Sequence, residues 1–130
     1  MSLYIKYIIF MEGNHPQAKS VVWVGSSDRD LKAFPPGVQK EVGYALWLAQ
    51  VGEKHDKTKP LKGFRGVFEI VSDYRTDTYR AVYAVKLGTK IYMLHAFQKK
   101  SKRGIATPKQ EIDIIRRRLQ EARRLAQEAE

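Results

Sequence analysis

The sequence has no cysteine among its 130 residues. This absence excludes disulfide bridges, cysteine-ligated zinc and thiol nucleophiles, and it fits a reducing, cytoplasmic environment. No apolar run approaches the ~18 residues of a membrane span, so we expect no membrane partner. The apolar stretch at residues 4–11 is short, contains Lys6 and lacks a small-residue cleavage pattern, which makes it a poor signal peptide.

Acidic residues are scarce: 14 Asp and Glu stand against 24 Lys and Arg, for a net charge of +10. This excess points to a polyanionic partner such as nucleic acid, a membrane surface or an acidic protein, although a solvated surface would need no partner. Because the basic residues cluster, we favour nucleic acid or the ribosome. The acidic residues form no convergent pair, and no spacing matches a metal-ligand motif, a glycine-rich phosphate loop or a nucleophile elbow. We therefore expect neither a metal nor a cofactor.

Length and an apolar content of 43% suit one domain with one core. We place it at residues 19–130 and treat residues 1–18 as an N-terminal extension or extra edge strand. The predicted elements are a strand at 20–24, helices at 27–34 and 36–51, a polar loop at 53–62, strands at 66–74, 79–86 and 90–98, and a helix that begins at Pro108. This order predicts an α+β fold, a small antiparallel sheet with a three-strand meander and helices packed on one face. The other face would stay partly open.

Two of the predicted helices carry an apolar stripe at helical spacing. In the helix at 36–51 the stripe is Val38, Val42, Ala45 and Ala49, and core packing is the favoured role for Trp47 beside it. The last helix has a stripe from Ile112 to Ala129, and arginines occupy much of its remaining surface. These arginines are either a solvated face paired with Glu121 and Glu128 or a surface that contacts RNA or an acidic partner. They are Arg116, Arg117, Arg118, Arg123 and Arg124.

The most informative stretch is residues 78–108, where two strand-like runs flank Gly88-Thr89, a turn of type II′ preference. A two-residue turn pairs Leu87 with Lys90. It also places Arg80 opposite Phe97, Val82 opposite His95, and Ala84 opposite Met93. Alternation along the strands then gathers one set on the open face and another on the core face. The first set is Arg80, His95, Phe97 and Lys99; the second is Tyr79, Tyr83, Leu94 and Ala96.

The open-face set carries groups that could bind and cut RNA. Arg80 offers planar donors to a phosphate, Phe97 can stack on a splayed base, and His95 has a suitable intrinsic pKa for proton transfer. Cleavage without metal can use the RNA 2′-hydroxyl as nucleophile, and Lys99 or Lys100 could act as base if neighbouring cations depress its pKa. The alternatives are that Arg80 stacks on Phe97 and that His95 is a packed structural residue. The neighbours His55 and Asp56 are more typical of a solvated loop than of a site.

The pattern KPLKGFRGVFEI, TYRAVY, IYMLHAFQKKS and TPKQEID resembles the HigB/RelE-like toxins of bacterial type II toxin–antitoxin systems. More narrowly, it resembles the phage-derived branch of the RelE/ParE superfamily, over residues 19–125. The resemblance implies a RelE-like fold and a metal-independent endoribonuclease that cleaves mRNA, typically on the ribosome. It also implies an antitoxin partner, often a helix-turn-helix repressor.

By position, Arg80 matches the phosphate-contacting arginine of these toxins, and Lys99-Lys100 matches their basic position after the last strand. Arg75 is a weaker match, and Lys102 and Arg103 extend the basic cluster as RNA contacts. Glu69 departs from relatives that have lysines in this strand, and no residue is assigned as general base. Two alternatives therefore stay open. One is a ParE-like, non-enzymatic inhibitor of a protein such as gyrase, and the other is a basic nucleic-acid-binding module without catalysis.

Overall fold

The computed structural model describes residues 18–99 and 107–129. Within them, the predicted succession of elements is confirmed, with one short strand added in the loop predicted at 53–62. That strand escapes prediction because it has three residues and ends in a proline, which only an edge strand tolerates. The elements are β1 (Val21–Trp23), α1 (Ser27–Lys32), α2 (Pro36–Gln50), β2 (Thr58–Pro60), β3 (Val67–Tyr74), β4 (Asp77–Leu87), β5 (Lys90–Lys99) and α3 (Lys109–Ala129).

The strands form one five-stranded sheet in the order β1-β5-β4-β3-β2. The meander β3-β4-β5 is antiparallel as predicted, and β2 continues it beyond β3. The sheet is nevertheless mixed, because β1 pairs in parallel with β5. The α+β class and the antiparallel meander are confirmed, and β1 departs from the antiparallel pairing expected of the sheet. The parallel pair is long-range, since α1, α2 and the strands β2, β3 and β4 separate its partners along the chain.

Helices cover both faces of the sheet, so the prediction of helices on one face only is wrong. On one face, α1 and α2 bury Leu31 and Leu46 against Ile70 and Met93. On the other face, the stripe of α3 buries Ile115, Leu119, Ala122 and Ala126 against strand residues. The physical reason is that each face of the sheet carries apolar side chains and only a second layer removes them from water. The face expected to be open therefore lies under α3.

The predicted hairpin register holds at its two ends and fails between them. Leu87 pairs with Lys90, Arg80 with Phe97, and Val82 with His95, but Ala84 pairs with Tyr92 rather than Met93. Two compensating bulges cause the difference. Leu94 is an extra residue in β5, and β4 takes up an extra residue near Lys86, whose φ is 65°.

The first bulge turns Leu94 onto the α3 face beside His95, where it joins the core under α3. The predicted placement of Leu94 with Tyr79, Tyr83 and Ala96 is therefore wrong, while those three do lie together on the α1–α2 face. A bulge of this kind interrupts strict alternation, and here no glycine in the strand announces it.

The ends of α2 follow the sequence signals. Pro36 is its first residue, and Gly52 adopts φ 85° just after the cap residue Val51, as a helix-terminating glycine does. Trp47 is half-buried, so its side chain is less enclosed than the predicted core role implies. No helix in the described residues is long and apolar enough to cross a membrane.

Candidate functional site

Arg80 lies in the middle of β4 and is only 4% exposed. Its Nη1 is 3.2 Å from each carboxylate oxygen of Glu69 and donates a 3.3 Å hydrogen bond to the hydroxyl of Thr107, just before α3. Glu69 reaches Arg80 because it pairs with Val82 on the neighbouring strand and shares its face. The expectation of an arginine on an open surface is therefore wrong. The guanidinium instead lies between the sheet and the N-terminal end of α3, with a carboxylate beside it.

Two lysines extend this cluster toward solvent. The Lys59 ammonium is 3.6 Å from Glu69 Oε1, and its side chain is half-exposed. Lys99 is opposite Thr78 at the end of the hairpin, on the same face and diagonal to Arg80. We call Lys59, Arg80 and Lys99 the basic edge. These three residues lie on β2, on β4 and at the end of β5, and Glu69 partly neutralises their charge.

His95 is 5% exposed and engaged at both ring nitrogens. Nε2 is 2.7 Å from Glu111 Oε2, and Nδ1 is 3.2 Å from Arg118 Nη1. Because a guanidinium can only donate, Nδ1 must accept, and the proton of the neutral ring sits on Nε2 and is donated to Glu111. Burial lowers the pKa of His95; the Glu111 carboxylate opposes this effect and Arg118 reinforces it. A lowered pKa agrees with the neutral tautomer of His95 that the hydrogen bonds require.

Arg118 ties three elements together. Its guanidinium donates to the Leu94 carbonyl at 3.0 Å and to the Ser26 hydroxyl at 2.9 Å, and that hydroxyl donates to Asp30 at 2.7 Å. These bonds join α3 to β5 and to the start of α1. Sequence reasoning missed the role because it grouped Arg118 with the other arginines of the helix. A signal was present: Arg118 lies three residues after Ile115, at the border of the buried stripe.

The other predicted site residues are placed as follows. Phe97 is 9% exposed and stacks on the His95 ring, with centroids 5.1 Å apart. Arg75 lies in the β3–β4 turn at φ 56°, with its guanidinium 5.4 Å from the centre of the Tyr74 ring. Their RNA-binding roles stay predictions. The predicted contacts Lys100, Lys102 and Arg103 lie outside the described residues.

Of the α3 arginines, Arg124 follows the solvated-face interpretation and Arg118 follows neither of the two. Arg124 forms ion pairs with Glu121 and Glu128, as expected of a solvated helix face, whereas Arg118 has its anchoring role. Within residues 18–99 and 107–129, no group of three or more His, Asp or Glu side chains is arranged to hold a metal ion.

A five-stranded mixed sheet between a helix pair and a long C-terminal helix defines this chain as a compact α+β protein with a basic edge. Residues 29–120 match the family model described as phage-derived protein Gp49-like. This match spans well over half of the chain, so the protein belongs to the phage-derived Gp49-like family. The predicted resemblance to a phage-derived family is thereby confirmed.

Among solved structures, the chain is similar to one in the toxin–antitoxin complex RelBE2 from Mycobacterium tuberculosis. The two are 22% identical, the match covers 65% of this chain and 94% of the other, and the TM-score is 0.44. No curated protein matches the sequence.

Proposed function

We propose that this protein is the toxin of a type II toxin–antitoxin system and that it cleaves mRNA on the ribosome as a metal-independent endoribonuclease. Membership of the Gp49-like family supports the toxin assignment. The observation that carries the nuclease proposal is the basic edge, where Arg80 is held between β3 and Thr107 while Lys59 reaches solvent. An antitoxin with an acidic segment, typically attached to a helix-turn-helix domain, would cover this edge.

In this proposal the RNA 2′-hydroxyl attacks the adjacent phosphorus, and the bond to the 5′-oxygen of the next nucleotide breaks. The phosphate gains negative charge in the transition state, which fixed cations stabilise. Lys59 and Lys99 meet the RNA backbone, and Arg80 supplies positive charge from its buried position between the sheet and the start of α3. Lys99 or Lys100, in its neutral amine form, takes the proton from the 2′-hydroxyl. The departing 5′-oxygen takes a proton from solvent, and the other product is a 2′,3′-cyclic phosphate. His95, with both nitrogens engaged, positions Glu111 and Arg118 instead of meeting RNA.

The test is controlled expression of the wild type and of a Lys59→Ala/Lys99→Ala variant in a bacterial host, with mRNA ends mapped by primer extension. We expect the wild type to arrest growth and to leave defined cleavage ends, and the variant to lose both. Lys40→Ala, an exposed lysine of α2, is the matched control and should behave as wild type. Growth arrest with intact mRNA, or equal arrest by wild type and the double variant, would contradict the proposal.

One observation favours a second candidate, an inhibitor that acts by binding a protein such as gyrase. Glu69 already compensates the charge of the buried Arg80, and this compensation weakens its attraction for a phosphate. The discriminating result is induction of the DNA-damage response with mRNA left intact. Salt-dependent binding to RNA without any cleavage product would instead identify a non-catalytic RNA-binding module.

A further inference from the structure

A cavity of about 360 Å³ opens on the α1–α2 face of the sheet, beyond the C-terminal end of α2. It reaches from Gly52 and Lys54 to the strand residues Phe68, Tyr83 and Lys86. Phe68 and Tyr83 alternate with Glu69 and Val82 along their strands, so the cavity lies on the opposite side of the sheet from Arg80. We call it the Phe68 pocket. Its volume lies in the ~300–1,000 Å³ range of small-ligand sites.

Two stacked aromatic rings line the inner end of the Phe68 pocket. The Phe68 and Tyr83 ring centres are 5.8 Å apart, and their planes are inclined by 27°. Tyr83 is 1% exposed, and burial raises the pKa of its hydroxyl to about 12, so this end stays uncharged at neutral pH. Phe68 is half-buried, which leaves part of its ring facing the cavity.

The mouth of the pocket is basic. Lys19, Lys54 and Lys86 line it and are exposed, and Glu53 is the acidic residue among the lining side chains. The Lys54 ammonium lies 4.3 Å from the centre of the Phe68 ring. Because this lysine is exposed, it can swing off the ring when a flat group stacks there, and it then stays at the mouth. Lys86 belongs to the β4 bulge and adopts φ 65°, a conformation that a non-glycine residue adopts at a cost. The bulge places this lysine at the mouth.

We propose that the Phe68 pocket binds one nucleotide unit of single-stranded RNA, with the base on Phe68 and the flanking phosphates on the lysines. A half-buried ring in a concave recess accepts a flat group, and base stacking on aromatic side chains is a general means of binding single strands. Lysines at the mouth then complement the phosphates. The proposal rests on RNA as the target in the proposed function, but it does not rest on cleavage.

The probe is a fluorescein-labelled, ten-nucleotide oligouridylate with 2′-O-methyl riboses, which lacks the attacking hydroxyl and so cannot be cut by that route. Binding to the full chain is measured by fluorescence anisotropy over a series of salt concentrations. Phe68→Leu keeps an apolar side chain and removes the ring. We expect it to weaken binding roughly 5-fold or more, as loss of one stacked base does. Urea unfolding of the same variant shows whether its fold is intact.

The lysine arm uses Lys54→Ala and Lys86→Ala, with Lys40→Ala as a control of equal charge change outside the pocket. Each pocket variant should lower the slope of log affinity against log salt by about 0.7, the value for one phosphate contact to a single strand. The control should keep the wild-type slope. Unchanged affinity for folded Phe68→Leu, or equal slopes for pocket and control lysines, would overturn the proposal.

A second experiment tests whether the Phe68 pocket binds a nucleotide within RNA or a free mononucleotide. Free uridine and adenosine monophosphate are titrated against the protein and followed by the NMR signals of the aromatic side chains. Saturable, Phe68-dependent binding of a mononucleotide without Phe68-dependent RNA binding would overturn RNA as the occupant. The two proposals also fail separately. If Lys59→Ala/Lys99→Ala abolishes cleavage while the pocket variants bind RNA normally, the proposed function stands and this inference falls.

Discussion

The buried pair of Glu69 and Arg80 allows a quantitative prediction about what holds the basic edge together. Their side chains are 4% and 5% exposed, Arg80 Nη1 is 3.2 Å from Glu69 Oε2, and the half-exposed Lys59 reaches the same carboxylate at 3.6 Å. Removing one partner of such a pair leaves a charge buried without compensation, which costs roughly 3–5 kcal/mol. Glu69→Gln should therefore lower the free energy of unfolding by that amount.

The two single substitutions should differ because of Lys59. In Arg80→Met the carboxylate of Glu69 keeps Lys59 and can be hydrated along that side chain, so we expect a loss about 1–2 kcal/mol smaller than in Glu69→Gln. In Glu69→Gln the buried guanidinium loses the carboxylate that lies 3.2 Å from its Nη1. The double variant should lose less than the sum of the two, with a coupling of roughly 1–3 kcal/mol.

The assay is urea unfolding of the two single variants and the double variant, read as a double-mutant cycle. Lys59→Ala serves as the control, since a pair with one half-exposed member should contribute no more than about 1 kcal/mol. A neutral or stabilising effect of both single substitutions would refute the reasoning. It would mean that the guanidinium of Arg80 is not enclosed in solution, and an arginine that faces phosphate from an open surface would become the better description.

Three further predictions concern α3 and its contacts. Burial lowers the pKa of His95, so the folded protein protonates it at lower pH than the unfolded chain does. Stability should therefore decline as the pH falls below about 6.5. His95→Gln should remove that decline in urea titrations at several pH values, and an unchanged pH profile would contradict a buried, neutral His95. Arg118→Met should cost roughly 1–3 kcal/mol in the same assay because it removes partly buried hydrogen bonds to Leu94 and Ser26. The exposed Arg117→Met should stay within about 0.5 kcal/mol, and equal effects would argue against the anchoring role. Gly25 has φ 58°, and a Cβ there would lie 2.6 Å from Arg118 Nε, so Gly25→Ala should cost at least about 1–2 kcal/mol. Gly37→Ala in α2, where a Cβ meets nothing within 4 Å, should be neutral or stabilising by up to about 1 kcal/mol in thermal unfolding, and a similar loss at both glycines would contradict this explanation.

Much of the fold could be predicted because its signals are local. Pro36 and Gly52 mark the ends of α2, and the stripe from Ile115 to Ala126 marks the buried side of α3. The turn at Gly88-Thr89 correctly predicted the pairing of Arg80 with Phe97. The bulge at Leu94 could not be predicted, since it exchanges one backbone pairing for another and leaves no characteristic residue in the strand.

The candidate site was less accessible to prediction than the fold. The hairpin register correctly placed Arg80, His95 and Phe97 on one face, but it could not say what covers that face. An apolar stripe indicates which side of a helix is buried, but it does not indicate which surface of the protein packs against that side. The expectation that all helices share one face followed from this ambiguity, and the open phosphate-binding surface followed from that expectation.

The sequence by itself determined the order of the elements, most of the hairpin register, the basic character of the chain and its family. These properties depend on neighbours along the chain or on residue types alone. Only the tertiary structure decided that α3 covers the second face, that Glu69 compensates Arg80, and that Arg118 bonds to Leu94 and Ser26. The reason is that burial and ion pairing depend on residues distant in sequence, and the free energy of each contact is set by the layer packed over it. The motif places Arg80 in β4 in the sequence and in the structure alike. Only the structure shows that α3 covers the face on which Arg80 lies and that Glu69 of β3 pairs with it.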